Sequence, residues 1–282
     1  MELTSPSKAK AGDKVAVLSP SFAAPGVAPA IHEQALERLI AVTGLVPVEF
    51  PTTRMVDASP RQRAADLNAA FADPEIRAVL ATIGGEDQIT VIPHLADLTD
   101  PGESEDMGRH WDDPRALSEF GDREPTEPWA WAGPARAVTG RTWGGCIDVL
   151  QWILTAGRFP TDPAVLDGGV LLLESSEELI PAREFGRITR SLGERGILEA
   201  VDAVIVARPP TSDFAFRPSA AERRAKRDEQ RDTVIDVVHA YNPEAVIVVG
   251  PPFGHTRPQW IIPYGGLVTV DGASRRLSAD YS

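Results

Sequence analysis

The 282-residue sequence predicts an α/β protein, with an N-terminal parallel-sheet (Rossmann-like) domain followed by a C-terminal α/β domain that closes in a β-hairpin. Two observations carry this reading. Short β-branched apolar runs alternate with stretches of helical period, the pattern that a parallel sheet with covering helices produces. Several of these runs end in Gly, Pro, Ser or charged residues, where such sheets place their ligand loops.

Taken in order, Lys14 to Ser19 is a first strand, and Ile31, Leu36, Leu39 and Ile40 mark the helix after it. Val46 to Phe50 is a second strand. Ser59-Pro60 is an N-cap with proline at the first helical position, and Ala64, Leu67 and Phe71 form the apolar stripe of that helix. Ile76 to Ile83 is a third strand that runs into Gly84-Gly85. From Leu98 to about Gly133 the periodicity stops and Pro, Gly, acids and tryptophans (Trp111, Trp129, Trp131) dominate, which predicts an irregular connection. The expected organisation is therefore a domain over 1–98, an acidic linker over 99–133 and a second domain over 134–282. In the second domain a helix spans Cys146 to about Ala156, a strand Val170 to Leu173 and a helix Arg183 to Arg195. A strand at Val201 to Ala207, a charged helix from Ala220 to Tyr241 and a strand at Ala245 to Val249 follow. Leu267 to Val270 and Arg276 to Ala279, with Asp271-Gly272 between them, form the hairpin.

The net charge of −13 argues against a nucleic-acid partner, because phosphate binding needs clustered Lys and Arg. A small, peptide-like ligand fits better. Residues 97–127 hold eleven acids against three arginines, and the plain reading is a solvated loop. The helix bearing Arg223 to Arg231 reads likewise as a solvated face, with pairs to Asp228, Glu229 and Asp232. No apolar run reaches the roughly 20 residues of a membrane span, and the N-terminus lacks the apolar centre of a signal peptide. A single cysteine, Cys146, suits a reducing compartment, so a cytoplasmic setting is expected.

Four strand-end motifs offer chemistry: Ser-Pro-Ser at 19–21, Ile-Gly-Gly-Glu-Asp-Gln at 83–88, Leu-Leu-Leu-Glu-Ser at 171–175 and Phe-Gly-His-Thr at 253–256. In this order they resemble the LD-carboxypeptidase and microcin C immunity peptidase family. GDKVAVLSPS is similar to its first strand and loop, IGGEDQITVIPHL to its nucleophile turn, Gly-Gly-x-x-Ser, and WGGCIDVLQWIL to its Gly-Gly-Asn-Leu helix start. LLLESSEE resembles the strand bearing the triad glutamate, and FGHTRPQWIIPYG the loop bearing the triad histidine.

The resemblance implies a Ser-His-Glu triad that cleaves an amide next to a free carboxylate, in cell-wall peptides or peptidyl-nucleotide antibiotics. It implies a homodimer and no cofactor. Glu174 and His255 match the triad, with the carboxylate orienting the imidazole that serves as general base. The two are expected within hydrogen-bond reach, at the ends of neighbouring strands. Gly84, Gly85, Glu86, Asp87, Ser19, Gly144 and Gly145 fall at positions that would contact substrate.

The sequence departs from the family twice. Gln88 stands where the family has its serine, and an amide cannot attack a carbonyl. Thr90 would point about 200° away around the helix axis. Cys146 stands at the family's asparagine position, at a helix start where a thiolate is stabilised, although buried inert cysteine is the commoner case. The second departure is the family's Gly-Tyr-Ser-Asp segment, which nothing here matches: His94 to Asp100 runs directly into the acidic stretch. Two function classes follow, an impaired amide hydrolase and a catalytically silent homologue that binds a peptide-like or nucleotide-like ligand. No metal is assigned, although Glu86, Asp87, Glu174 and His255 together are a set that can bind a divalent ion.

Overall fold

A computed structural model of the chain describes residues 9–20, 22–82, 96–98, 102–110, 112–117, 119–158 and 160–280. The described residues fall into two compact units, one within Met1–Val91 and Arg109–Glu119, the other within Ile92–Gly108 and Phe120–Ser282.

The first unit contains β1 (Lys14–Leu18), α1 (Ala24–Val27), α2 (Pro29–Thr43), β2 (Val46–Glu49), α3 (Pro60–Ala72) and β3 (Ile76–Ala81). Its strands form a parallel sheet in the order β2-β1-β3. Ser59 caps α3 as expected, in a capping box with Gln62 and with proline in the first turn. The apolar stripes hold in part: Leu67 packs against Ala16, Leu18 and Ala70, whereas Ile40 is 50% exposed and Phe71 75%. The face of α3 turned inward also carries Arg63 and Asp66. Arg63 donates to the carbonyls of Ser19, Met55, Val56 and Ala58, and Asp66 accepts from the backbone and hydroxyl of Thr52. These polar anchors help set the rotation of the helix about its axis, so a reading from hydrophobicity alone finds only part of the buried face. In α2 the one buried residue is His32, whose Nε2 lies 2.8 Å from Glu49.

The second unit contains β4 (Ala96–Leu98), β5 (Glu103–Ser104), β6 (Glu124–Pro125), β7 (Ala130–Ala132), β8 (Ala137–Cys146), α4 (Ile147–Thr155), β9 (Val170–Glu174), α5 (Ala182–Glu194), α6 (Ile197–Ala200), β10 (Ala203–Val206), α7 (Ala220–Tyr241), β11 (Val246–Val249), β12 (Leu267–Asp271) and β13 (Arg276–Ala279). Its main sheet has the order β4-β13-β12-β8-β9-β10-β11-β7. The four central strands β8 to β11 run parallel, while β12, β13, β4 and β7 pair antiparallel at the flanks. The long strand β8 joins the two regimes: Ala137–Arg141 pairs with the terminal hairpin and Thr142–Cys146 with β9. Strands β9, β10 and β11 are buried along their whole length, which explains their continuous apolar runs. One face packs on Ile147, Leu150, Phe185, Leu192, Val234 and Val238 from α4, α5 and α7, and the other on Val138, Val268, Val270 and Leu277 from β8 and the hairpin.

The acidic segment is only in part the irregular solvated connection that its composition predicts: Glu103, Asp112, Glu119 and Asp122 are exposed. Its described residues include the β5–β6 ribbon, a 3-10 turn at Pro114–Leu117, and β7, which extends the main sheet beside β11. Asp106 is 5% exposed and Glu105 2%. Asp106, Glu124 and Glu127 are drawn out of solvent because arginines meet them. Arg208 donates to Asp106 (2.8 Å) and Glu124 (2.6 Å), Arg227 to Glu127 (2.6 Å), and Arg223 to Glu124 (2.6 Å). The solvated-face reading of α7 thus holds for Arg231, which pairs with Asp228 and Asp232, but not for Arg223 and Arg227. Sequence distance hid the partners, which lie about a hundred residues upstream.

Candidate active site

Glu174 is the last residue of β9 and is 4% exposed. His255 follows β11 in the loop that starts at Gly250. The expected contact is present: His255 Nδ1 lies 2.7 Å from Glu174 Oε2. An ionised carboxylate only accepts, so Nδ1 carries the proton and the ring is held in one orientation. The two strands are not neighbours, however, because β10 lies between β9 and β11. The histidine loop must fold back across the end of β10 to reach Glu174.

Gly254 permits that crossing. A Cβ at this position would stand 2.7 Å from Glu174 Oε2, 2.9 Å from Glu174 Cβ and 3.2 Å from Ala207 Cβ, all in a buried corner. Gly254→Ala is therefore expected to push the loop off Glu174 and to lower stability by about 1–3 kcal/mol. A urea midpoint shift measures the second effect, and loss of the low-field ring proton of His255 the first. A variant with wild-type stability and an unchanged ring proton would show that the loop has room.

The other imidazole nitrogen also faces a carboxylate, with Glu177 Oε2 3.2 Å from Nε2. This is the side on which a general base would take a proton from a nucleophile. Glu177 is 56% exposed, on the turn after β9. Since Glu174 and Glu177 address opposite ring nitrogens, they do not share a cation with His255. Among the described residues no three His, Cys, Asp or Glu side chains converge as a metal-binding set.

Cys146 caps α4 next to this pair. Its thiol is pushed up to about 11 by burial, with the Glu174 carboxylate adding to the effect and outweighing the amides of Asp148 and Val149. The helix-start argument for a thiolate thus fails here. At pH 8 roughly one thiol in a thousand is ionised, so Cys146 is expected to react with iodoacetamide about two orders of magnitude more slowly than a free cysteine. Alkylation followed by intact mass measurement checks this, and labelling at the free-cysteine rate would contradict it.

Gly144 and Gly145 close β8 opposite Leu172 and Leu173. Gly144 has φ +138°, and a Cβ there would lie 1.9 Å from the Leu172 carbonyl oxygen, so close strand approach already demands glycine. Ser19, in the first unit, is 1% exposed; its hydroxyl donates to the Thr53 carbonyl and lies 2.7 Å from Thr82 Oγ1. Gly84, Gly85, Glu86, Asp87, Gln88 and Thr90 lie outside the described residues. Two residues escaped the sequence reading: Gly254, whose signal was its place beside the histidine, and Glu177, which has no signal beyond a run of acids.

The described residues form an α/β architecture with a Glu–His pair at a strand end. The family model described as the LD-carboxypeptidase N-terminal domain matches residues 15–102, and that described as the C-terminal domain matches 139–270. The chain belongs to the LD-carboxypeptidase family. Among solved structures it is similar to MccF in complex with glutamyl sulfamoyl guanosine, at 16% identity and TM-score 0.76, with 98% of each chain covered. It is also similar to an MccF-like protein from Streptococcus pneumoniae in complex with AMP, at 20% identity and TM-score 0.75, covering 95% of this chain and 99% of that one. An MccF-like protein from Bacillus anthracis str. Ames matches at 17% identity and TM-score 0.73, covering 97% and 98%. At these identities the likeness concerns the fold. No curated protein matches the chain.

Proposed function

We propose that this protein is an LD-carboxypeptidase or microcin-immunity-like amide hydrolase in which the general-base half of the site is intact and the attacking half is impaired, because Gln88 stands at the serine position. The observation that carries the reading is the 2.7 Å contact between His255 Nδ1 and the buried Glu174. A carboxylate that orients an imidazole in this way supports proton abstraction from a nucleophile at Nε2. Gln88 offers no acidic proton to abstract, and Cys146 is held as the thiol. The ligand class is a peptide-like molecule with a free carboxylate, or an aminoacyl nucleotide analogue of the kind bound by the solved MccF relatives. Gly84, Gly85, Glu86, Asp87, Ser19, Gly144 and Gly145 would line its site. The reading carries a homodimer from the family resemblance, and a cytoplasmic setting from cysteine usage.

The second reading is a silent homologue that keeps the pocket for binding, and one observation favours it: the Glu177 carboxylate stands at the Nε2 side of His255. Calorimetric titration with aspartyl sulfamoyl adenosine, AMP and an LD-linked tetrapeptide, with the end products checked by mass spectrometry, tests the two together. Slow cleavage supports the proposal, binding of at least one without cleavage favours the second reading, and failure to bind any of the three removes the ligand class.

A further inference from the structure

A further cluster of buried arginines and acids joins the segment before β7 to the rest of the second unit. Its centre is Arg208, 2% exposed, which follows β10 by two residues. Its guanidinium reaches three acids of the upstream segment, Asp106 at 2.8 Å, Glu124 at 2.6 Å and Glu127 at 3.4 Å. Its main chain holds the histidine loop: the Arg208 amide donates to the Pro251 carbonyl at 3.0 Å, and its carbonyl accepts from the fully buried Thr256 hydroxyl at 3.5 Å. Asp106 is further fastened by the Thr211 amide and hydroxyl and by Ser212.

The acid segment also grips the histidine loop directly. Glu105, beside Asp106, forms a two-way backbone bridge with Arg257: the Glu105 amide donates to the Arg257 carbonyl at 2.9 Å, and the Arg257 amide to the Glu105 carbonyl at 2.8 Å. His255 therefore sits between Pro251 on one side and Thr256 and Arg257 on the other, and each of these is tied, directly or through Asp106 and Glu105, to Arg208. Bonds within the loop, from the Gln259 side-chain amide to the Gly254 carbonyl and from the Trp260 amide to the Pro252 carbonyl, shape the crossing over β10, and seating the imidazole on Glu174 also calls for rigidity from outside the loop. A long excursion of chain closed by a multi-dentate ion cluster supplies that rigidity, because Arg's planar fork engages several carboxylates at little entropic cost.

We infer that Arg208 is a positioning residue for His255: with Asp106 it braces the histidine loop through the Glu105–Arg257 bridge and keeps the imidazole seated on Glu174. The inference rests on reading His255 as the base of the site, but its test reads the imidazole itself and needs no turnover.

The experiment compares wild type with Arg208→Met, Arg208→Lys and Asp106→Asn, and with Arg217→Met, which removes only an exposed ion pair to Asp122. Ring-15N-labelled histidine, assigned with a His255→Gln sample, reports the Nδ1 proton in the bond to Glu174. Backbone amide exchange reports the bridge at Glu105 and Arg257, with Leu172 and Ile247 in the central strands as internal reference. In Asp106→Asn and Arg208→Met, exchange at Glu105 and Arg257 is expected to accelerate at least about tenfold relative to the reference amides, and the His255 Nδ1 proton to broaden or disappear. Arg208→Lys should lie between these and wild type, and Arg217→Met should match wild type. If Arg208→Met does not fold, Asp106→Asn decides the matter, since it keeps the shape of the side chain and lies outside the central strands. A sharp, unshifted Nδ1 proton and protected bridge amides in a folded Asp106→Asn protein would overturn the inference. If the brace signature appears in a protein that binds no peptide-like or nucleotide-like ligand, the positioning role stands and the functional reading fails.

Discussion

Arg227→Met is expected to cost on the order of 3 kcal/mol of folding stability, whereas Arg231→Met, one turn further along α7, should cost less than about 1 kcal/mol. Arg227 is 7% exposed and donates twice to Glu127 and once to the Thr211 hydroxyl, and its guanidinium lies 2.9 Å from Glu124. Removing it leaves carboxylates in a poorly hydrated place with one cation fewer. Breaking a buried pair in this way costs about 3–5 kcal/mol, and the lower end applies here because Arg208 still faces both acids. Arg231, 33% exposed, pairs with helix neighbours that water solvates equally well. Chemical denaturation of both variants measures the contrast, and equal small losses would mean that the cluster contributes little. The same cluster sets an acid limit. Burial pushes the Asp106 carboxyl up, but Arg208 and the Thr211 amide outweigh it and hold it below the usual carboxylate range; Glu127 is held down likewise, with Arg227 outweighing burial. A depressed folded value means that the stabilisation is present above the unfolded carboxylate pKa and is lost as pH falls through the folded one. Wild type should therefore lose more stability than Arg227→Met across that acid range.

Gln88→Ser alone is expected to restore little hydrolysis. Loss of a nucleophile removes roughly six powers of ten in kcat, what remains coming from binding and oxyanion stabilisation. A hydroxyl at position 88 supplies the missing group, but the sequence also lacks a match to the family's Gly-Tyr-Ser-Asp segment, which would leave one wall of the cleft unbuilt. Rates for wild type and Gln88→Ser with an acyl sulfamoyl adenylate separate the two defects. A rise of several powers of ten would show that the missing hydroxyl was the whole impairment.

The strands β9, β10 and β11, the N-cap at Ser59 and the terminal hairpin were legible in the sequence because each is a local pattern: a buried parallel strand is a continuous apolar run, and an N-cap followed by proline is a pair of adjacent residues. The Glu174–His255 contact was legible by resemblance alone, since 81 residues separate the two. The inward part of the acidic segment is hidden for the same reason in reverse. Asp113 has local partners in Arg109 and Arg115, but Asp106, Glu124 and Glu127 have none, so composition describes them as solvated; only the fold brings Arg208, Arg223 and Arg227 to them. The rotation of α3 was partly hidden because its inward face mixes Leu67 and Ala70 with Arg63 and Asp66, whose polar contacts an apolar stripe does not announce. Glu177 at the imidazole depends on a turn geometry that no residue pattern announces.

The central claim is that a formed Glu–His pair remains without an attacking group. Its most direct test follows release of the C-terminal D-residue from an LD-linked peptide, and hydrolysis of an acyl sulfamoyl adenylate, with wild type and His255→Ala side by side at equal concentration. The account predicts at most slow turnover by wild type, close to the buffer background, and less still by His255→Ala. Robust turnover by wild type that His255→Ala abolishes would contradict it, and would require another nucleophile, with a water activated by Glu86 or Asp87 the first to examine.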